Sequence, residues 1–207
     1  MDVAIPIFDG ITALDAIGPY EVLSRLPEAR VHFLGTDGPG PKRTGNHMLG
    51  LTADEALSEL PHPEVIVFPG GHGTDTVMRD EAVLAWVRAA HESSQWTTSV
   101  CTGSLVLGAA GILDGLEATT HWMYVDQLAE LGATPVARRV VEQGKVITAA
   151  GVSSGIDMAL TLAAHLAGED VARAIQLRIE YDPEPPFDSG STSKASPEIV
   201  ELARNRS

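Results

Sequence analysis

The sequence predicts an α/β fold of three layers, with a mostly parallel sheet covered by helices on both faces. Short strand-like runs alternate with segments of helical periodicity along the chain. The clearest runs, Val3 to Phe8 and Val65 to Phe68, are apolar throughout, as strands buried on both faces must be. Turn residues supply the punctuation: Asp9-Gly10, Pro69-Gly70-Gly71 and Cys101-Thr102-Gly103 each follow a run directly.

Taken in order, Val3 to Phe8 reads as a buried strand that opens on Asp9-Gly10. Residues 12–26 read as a helix with Leu14, Ile17, Val22, Leu23 and Leu26 on its apolar side. Pro19 is expected to end, bend or restart it. Val31 to Gly35 is a second strand, and Gly38-Pro39-Gly40-Pro41 a loop; Leu49 to Thr52 reads as a short edge strand. Val65 to Phe68 leads into Pro69-Gly70-Gly71-His72-Gly73 and a helix over 80–92. The strand Thr97 to Val100 is followed by Cys101-Thr102-Gly103 and an apolar helix from Ser104 to Ile112.

A short strand precedes His121, and a helix over 122–131 ends at Gly132. Arg139 to Glu142 and Lys145 to Thr148 flank Gln143-Gly144 as a tight turn. Helices over 155–167 and 169–179 complete the body. From Tyr181 the composition changes to a Pro-, Ser- and Asp-rich segment with too few apolar residues for a core of its own. The reading is one domain over 1–207, with 181–207 as a C-terminal arm and a short helix over 197–206.

Composition sets the outer limits. Hydrophobic residues make up 44% and charged residues 20% of the 207, ordinary for a protein with a real core. Lys and Arg total 14 against 28 Asp and Glu, a net charge of −14. Such a surface repels a phosphate backbone, and the short basic features Lys42-Arg43 and Arg138-Arg139 lack the density of a nucleic-acid footprint. Apolar runs stop well short of the roughly 18 residues of a membrane span. The N-terminus shows no basic region and no cleavage site, so a cytoplasmic location is expected.

One cysteine excludes an internal disulfide and dithiol chemistry, leaving Cys101 as a small buried hydrophobe or a reactive thiol. Its setting favours the thiol. A strand stops, the chain turns at one residue, and a helix starts at once, lifting that side chain above the carboxyl edge of the sheet. A thiol at a helix N-terminus faces unpaired N–H groups and the positive end of the dipole, so its pKa is expected to fall.

Partners for Cys101 are sought on the same edge. Asp15, among apolar neighbours, reads either as a carboxyl of raised pKa fit for proton transfer or as a helix N-cap; Glu21 is a second candidate. Gly70 and Gly71 either aim N–H groups at developing negative charge or form a plain turn. Thr102 either donates from its hydroxyl or caps the helix. His121 is either a base beside Cys101 or a packed histidine. The histidines show no recurring metal-ligand spacing, and no metal is expected.

The Pro69-Gly70-Gly71 loop, the Cys101 elbow and Ala118-Thr119-Thr120-His121 resemble the ThiJ/PfpI superfamily within the class I glutamine-amidotransferase-like fold. The likeness is nearest to its isocyanide-hydrating branch. It rests on Leu14-Asp15 with Gly18-Pro19, the stretch from Thr98 to Gly111, His121-Trp122, Gly155-Ile156-Asp157, Glu180-Tyr181 and Pro183 to Phe187. The resemblance implies a flavodoxin-like three-layer sandwich, a homodimer, a small-molecule isocyanide substrate and no cofactor. It also implies Cys101 as nucleophile, Asp15 as proton donor and acceptor, and Thr102 as a supporting hydroxyl, with a covalent thioimidate as intermediate.

Other branches differ at identifiable residues. The peptidases follow the cysteine with histidine, where Thr102 stands here. The glyoxalase-like enzymes place a glutamate on the first helix, where the best match is Asp15 and Glu21 lies further along. Sensor halves of AraC-type regulators share the elbow but continue into a helix-turn-helix region, for which residues 181–207 are expected to be neither long nor basic enough. The alternatives are thus a glyoxalase-like enzyme and a redox-sensing or ligand-binding domain.

Overall fold

In the computed structural model, which describes residues 1–205, the sheet and its helices follow the predicted alternation. The first half comprises β1 (Asp2–Ile7), α1 (Ala13–Leu23), β2 (Arg30–Gly35), β3 (Gly40–Arg43), β4 (Gly50–Ala53), β5 (Glu55–Ala56), β6 (Val65–Phe68), α2 (Thr74–Val77), α3 (Glu81–Ser93) and β7 (Trp96–Val100). The second comprises α4 (Gly103–Ala109), β8 (Glu117–Ala118), α5 (Val125–Glu130), β9 (Thr134–Pro135), β10 (Val140–Gln143), β11 (Val146–Ala149), α6 (Ser154–Ala167), α7 (Glu169–Arg178) and α8 (Pro197–Arg204).

The main sheet runs β10-β11-β7-β6-β1-β2-β5 and is parallel except at the β10–β11 hairpin. On one face α1 packs on α6 and α6 on α7; α4, with α2, α3 and α5 around it, covers the other. Ile5, Ile7, Ile66, Phe68 and Ile147 of the strands are fully buried between these layers with Leu23, Leu105 and Leu107 of the helices. Two-sided burial explains why the strand runs lack polar alternation. No helix among the described residues is long and apolar enough to cross a membrane.

The structure departs from the sequence reading in three places. The Gly38–Pro41 loop gives way at Gly40 to β3, which pairs antiparallel with β4 from Gly40↔Ala53 to Arg43↔Gly50 in a two-stranded sheet of their own, so the strand expected over Leu49 to Thr52 is not an edge of the main sheet. α1 runs through Pro19 without a break. Gly18 and Pro19 lie where α1 crosses α6: a Cβ on Gly18 would come 3.1 Å from Ile156 Cγ1, and one on Gly155 would come 3.3 Å from Pro19 Cδ. Close packing there offsets the lost helical hydrogen bond. The one-turn α2 and the two-residue strands β5 and β9 are too short to carry a periodicity. At the C-terminus α8 ends at Arg204, and Arg206, inside the predicted helix, lies outside the described residues.

Candidate active site

Cys101 directly follows β7, with Thr102 between it and α4, and has φ +59°, a left-handed conformation that costs a non-glycine residue about 1–2 kcal/mol. The surroundings fix it there. Its N–H donates to the carbonyls of Ala149 (3.1 Å) and Ala150 (3.0 Å). Its own carbonyl accepts from Ser104 Oγ at 3.1 Å and Thr120 Oγ1 at 3.0 Å. Glycine is required at 103, because a Cβ would lie 2.0 Å from the Phe68 carbonyl oxygen, so α4 starts directly against β6. The result is the sharp elbow expected from the sequence, on the carboxyl edge shared by β1, β6, β7 and β11.

Asp15 lies within the first turn of α1 and is fully buried, so it is not the helix N-cap; Thr12 holds that position. The Gly70 N–H donates to Asp15 Oδ2 at 3.0 Å, joining α1 to the loop after β6 where the order of strands reverses. Oδ1 is buried without a fixed donor, and the Cys101 thiol is the other group that approaches the carboxyl. Burial pushes Asp15 up to about 7, against the smaller opposing effects of the Gly70 N–H and the thiol. A carboxyl with that pKa gains and loses a proton readily near neutrality.

The expected fall in the Cys101 pKa is overturned. Burial, with the Asp15 charge beside it, pushes the thiol up to about 12; the nearby N–H groups of Val152 and Thr102 only partly offset this. Two backbone donors and a seven-residue helix do not compensate for removal from water next to an anion. Cys101 therefore rests as a thiol, and Asp15 is positioned to take its proton.

The glycine loop also departs from expectation. Gly70 N–H is engaged by Asp15, and Gly71 N–H donates to Thr102 Oγ1 at 2.9 Å. Neither is left facing an incoming group; they hold catalytic candidates in place. Gly70 lies so close to the elbow that a Cβ would come 2.5 Å from Thr102 N. The Thr102 hydroxyl makes no helix cap and instead bonds Thr74 Oγ1 at 2.9 Å and the Gly71 carbonyl at 3.3 Å. Thr102 thus ties the elbow to the loop after β6.

Glu21 is displaced from the site: its half-exposed carboxylate pairs with Arg25 one turn on, at 2.7 Å. His121 accepts weakly from Met123 N–H through Nδ1, at 3.4 Å. A Cβ on Gly151 would come 2.7 Å from its Cδ2, so its ring packs on the loop after β11. Burial and nearby His72 hold its pKa down, keeping it neutral. Two contributors escaped the sequence reading, the Val152 N–H and the Thr120 hydroxyl. Val152 follows β11 in Ala149-Ala150-Gly151-Val152-Ser153-Ser154, a second strand-turn-helix junction beside the first. That repetition of the Cys101 pattern was the available signal.

A raised carboxyl pKa has a consequence for stability. Below about 4 both the folded and unfolded chains hold the Asp15 proton; between the ordinary 3.8 and about 7 only the folded chain does. Stability contributed by the protonated carboxyl is therefore full in acid and lost as pH rises through 7. Asp15→Asn, which cannot ionise, is expected to match wild type at pH 4 and exceed it at pH 8 by on the order of 4 kcal/mol. Denaturant unfolding at the two pH values checks this; equal differences at both would show an unperturbed Asp15.

A doubly covered parallel sheet carrying a strained cysteine at a strand-to-helix elbow defines a class, and the chain belongs to it: the DJ-1/PfpI family matches residues 1–165. Among individual relatives, isonitrile hydratase of Pseudomonas putida is 45% identical over 207 residues, spanning 100% of this chain and 90% of that protein. The crystal structure of a ThiJ/PfpI family protein from Pseudomonas syringae superposes with a TM-score of 0.93 at 34% identity, covering 99% of this chain and 86% of that one. The HTH-type transcriptional regulator CdhR of Pseudomonas aeruginosa is 31% identical over 172 residues, 81% of this chain but 50% of the regulator.

Proposed function

We propose that this protein is an isocyanide (isonitrile) hydratase, converting R–N≡C and water to the N-substituted formamide without a cofactor. The observation that carries the reading is the buried Asp15–Cys101 pair, a carboxyl near neutrality facing a protonated thiol on a strained elbow. The 45% identity to isonitrile hydratase over the full chain directs that pair to this substrate.

The pair suits an acceptor that needs a nucleophile and a proton at the same carbon. A free thiolate beside ionised Asp15 would cost several kcal/mol, given pKa values of about 12 and about 7. Proton transfer is therefore coupled to bond formation. Asp15 takes the thiol proton as sulfur bonds the terminal isocyanide carbon, then returns it to that carbon, giving the thioimidate Cys101–S–CH=N–R. Water adds to the same carbon, with Asp15 moving one of its protons to nitrogen. Collapse to the carbonyl breaks the S–C bond, releases HC(=O)–NHR and restores the thiol. The N–H groups of Val152 and Thr102 stabilise sulfur whenever it carries negative charge.

Formation of a sulfenic acid requires an accessible thiolate, and the buried, protonated state of Cys101 weighs against a redox-sensing role. Exposed Leu177, Phe187, Ile199 and Leu202 on α7, the arm and α8 support the homodimer reading. The test of the function is to incubate the reduced protein with aryl and alkyl isocyanides and follow formamide by NMR. Multiple turnovers without added cofactor are expected. No formamide from any of several isocyanides, or lactate from methylglyoxal instead, would overturn the reading.

A further inference from the structure

Val152 is the most strained non-glycine contributor to the site after Cys101. It is β-branched and has φ +41°, and its N–H approaches the Cys101 sulfur closely enough to lower the thiol pKa. Something has to hold the loop Ala150-Gly151-Val152-Ser153 in that shape. One residue grips it at both ends. The Arg139 carbonyl accepts from Ala150 N–H at 2.9 Å, and its guanidinium donates to Ser153 Oγ at 3.2 Å. The same guanidinium forms an ion pair with Asp157 in the first turn of α6. The Tyr181 hydroxyl lies beside both Arg139 and Asp157, and Tyr181 is the first residue of the C-terminal arm.

We propose that Arg139, with Asp157 and Tyr181, is a positioning clamp that holds the left-handed Val152 so that its N–H stays on the Cys101 sulfur. The clamp makes no contact with the reacting atoms; it acts through the loop. By including Tyr181 it also ties the reactivity of the thiol to the docking of the C-terminal arm. The proposal rests on Cys101 being the reactive group of the proposed function, so its test reads the thiol directly and needs no isocyanide.

Cys101 is the only cysteine in the sequence, so its alkylation by iodoacetamide can be followed by intact mass in the full-length protein between pH 6 and 9. Asp15 on α1 and Tyr124 after β8 face the thiol, while His121 with His72 lies beyond Gly151. These groups are present in every variant, so a displacement between variants reports on the clamp. Losing one charge-stabilising N–H should displace the line of log rate against pH to higher pH by about one unit in Arg139→Ala, about tenfold slower alkylation at a given pH. Tyr181→Phe, which removes a single hydroxyl and leaves the fold intact, should shift it in the same direction by about threefold. Arg139→Lys should recover part of the rate, and Arg138→Ala, which loses only its pair with Glu117, should follow wild type. Alkylation of Arg139→Ala and Tyr181→Phe at or above the wild-type rate, or an equal displacement in Arg138→Ala, overturns the clamp. If wild type alkylates and the variants shift while no isocyanide is hydrated, the proposed function fails and the clamp stands.

Discussion

Cys101→Ser is expected to lower isocyanide hydration by about 10⁴-fold or more while leaving the fold in place. The elbow that presents residue 101 is built by other groups: the carbonyls of Ala149 and Ala150, the hydroxyls of Ser104 and Thr120, and the close approach of Gly103 to Phe68. A serine in that frame meets the same N–H groups and the same carboxyl. What it lacks is polarizable sulfur, and Asp15 at about 7 is far too weak a base to ionise an alcohol. Turnover should vanish with thermal stability changed by no more than about 1 kcal/mol. Formamide production by Cys101→Ser within tenfold of wild type would mean that Asp15 activates water directly and that no covalent step is used.

Asp15→Asn should separate two properties that are often assumed to move together. Turnover is expected to fall by about 10³-fold, because the amide can neither take the thiol proton nor return it to carbon. The thiol itself should become more acidic, since the Asp15 charge is among the causes that push it up. Iodoacetamide alkylation at pH 8 is therefore expected to speed up by several-fold in the same variant that loses hydration. Opposite movement of the two rates identifies Asp15 as the proton carrier. If alkylation slowed along with hydration, Asp15 would act mainly by ordering the site.

Much of this arrangement was legible from residues alone. Val65 to Phe68 and Thr97 to Val100 announce buried strands, which the structure pairs side by side, and Cys101 followed by Thr102-Gly103 announces the elbow, where a glycine allows the tight strand-to-helix junction. Asp15 and Gly70 were correctly placed on the same edge, although the hydrogen bond between them was not readable. The misread features depend on tertiary packing. Pro19 should interrupt an isolated helix, but the close crossing of α1 and α6 is invisible in local sequence. The direction of the thiol pKa was inferred from the helix end, an effect of under a unit, whereas burial beside a carboxylate has a larger effect of opposite sign. Glu21 has the right chemistry but pairs with Arg25, and of the two readings open for His121 its packing on Gly151, beside Val152, fits the packed histidine near the site. Val152 offered a backbone group, which no side-chain pattern marks.

Family membership leaves open which electrophile the Asp15–Cys101 pair meets, and the covalent step answers that most directly. Wild-type protein mixed with an aryl isocyanide and quenched in acid during turnover should carry an intact-mass increase equal to one whole isocyanide. That increase should map to the peptide containing Cys101 and disappear as substrate is exhausted. Formamide accumulating at full rate while Cys101 remains unmodified at every quench time would contradict the account.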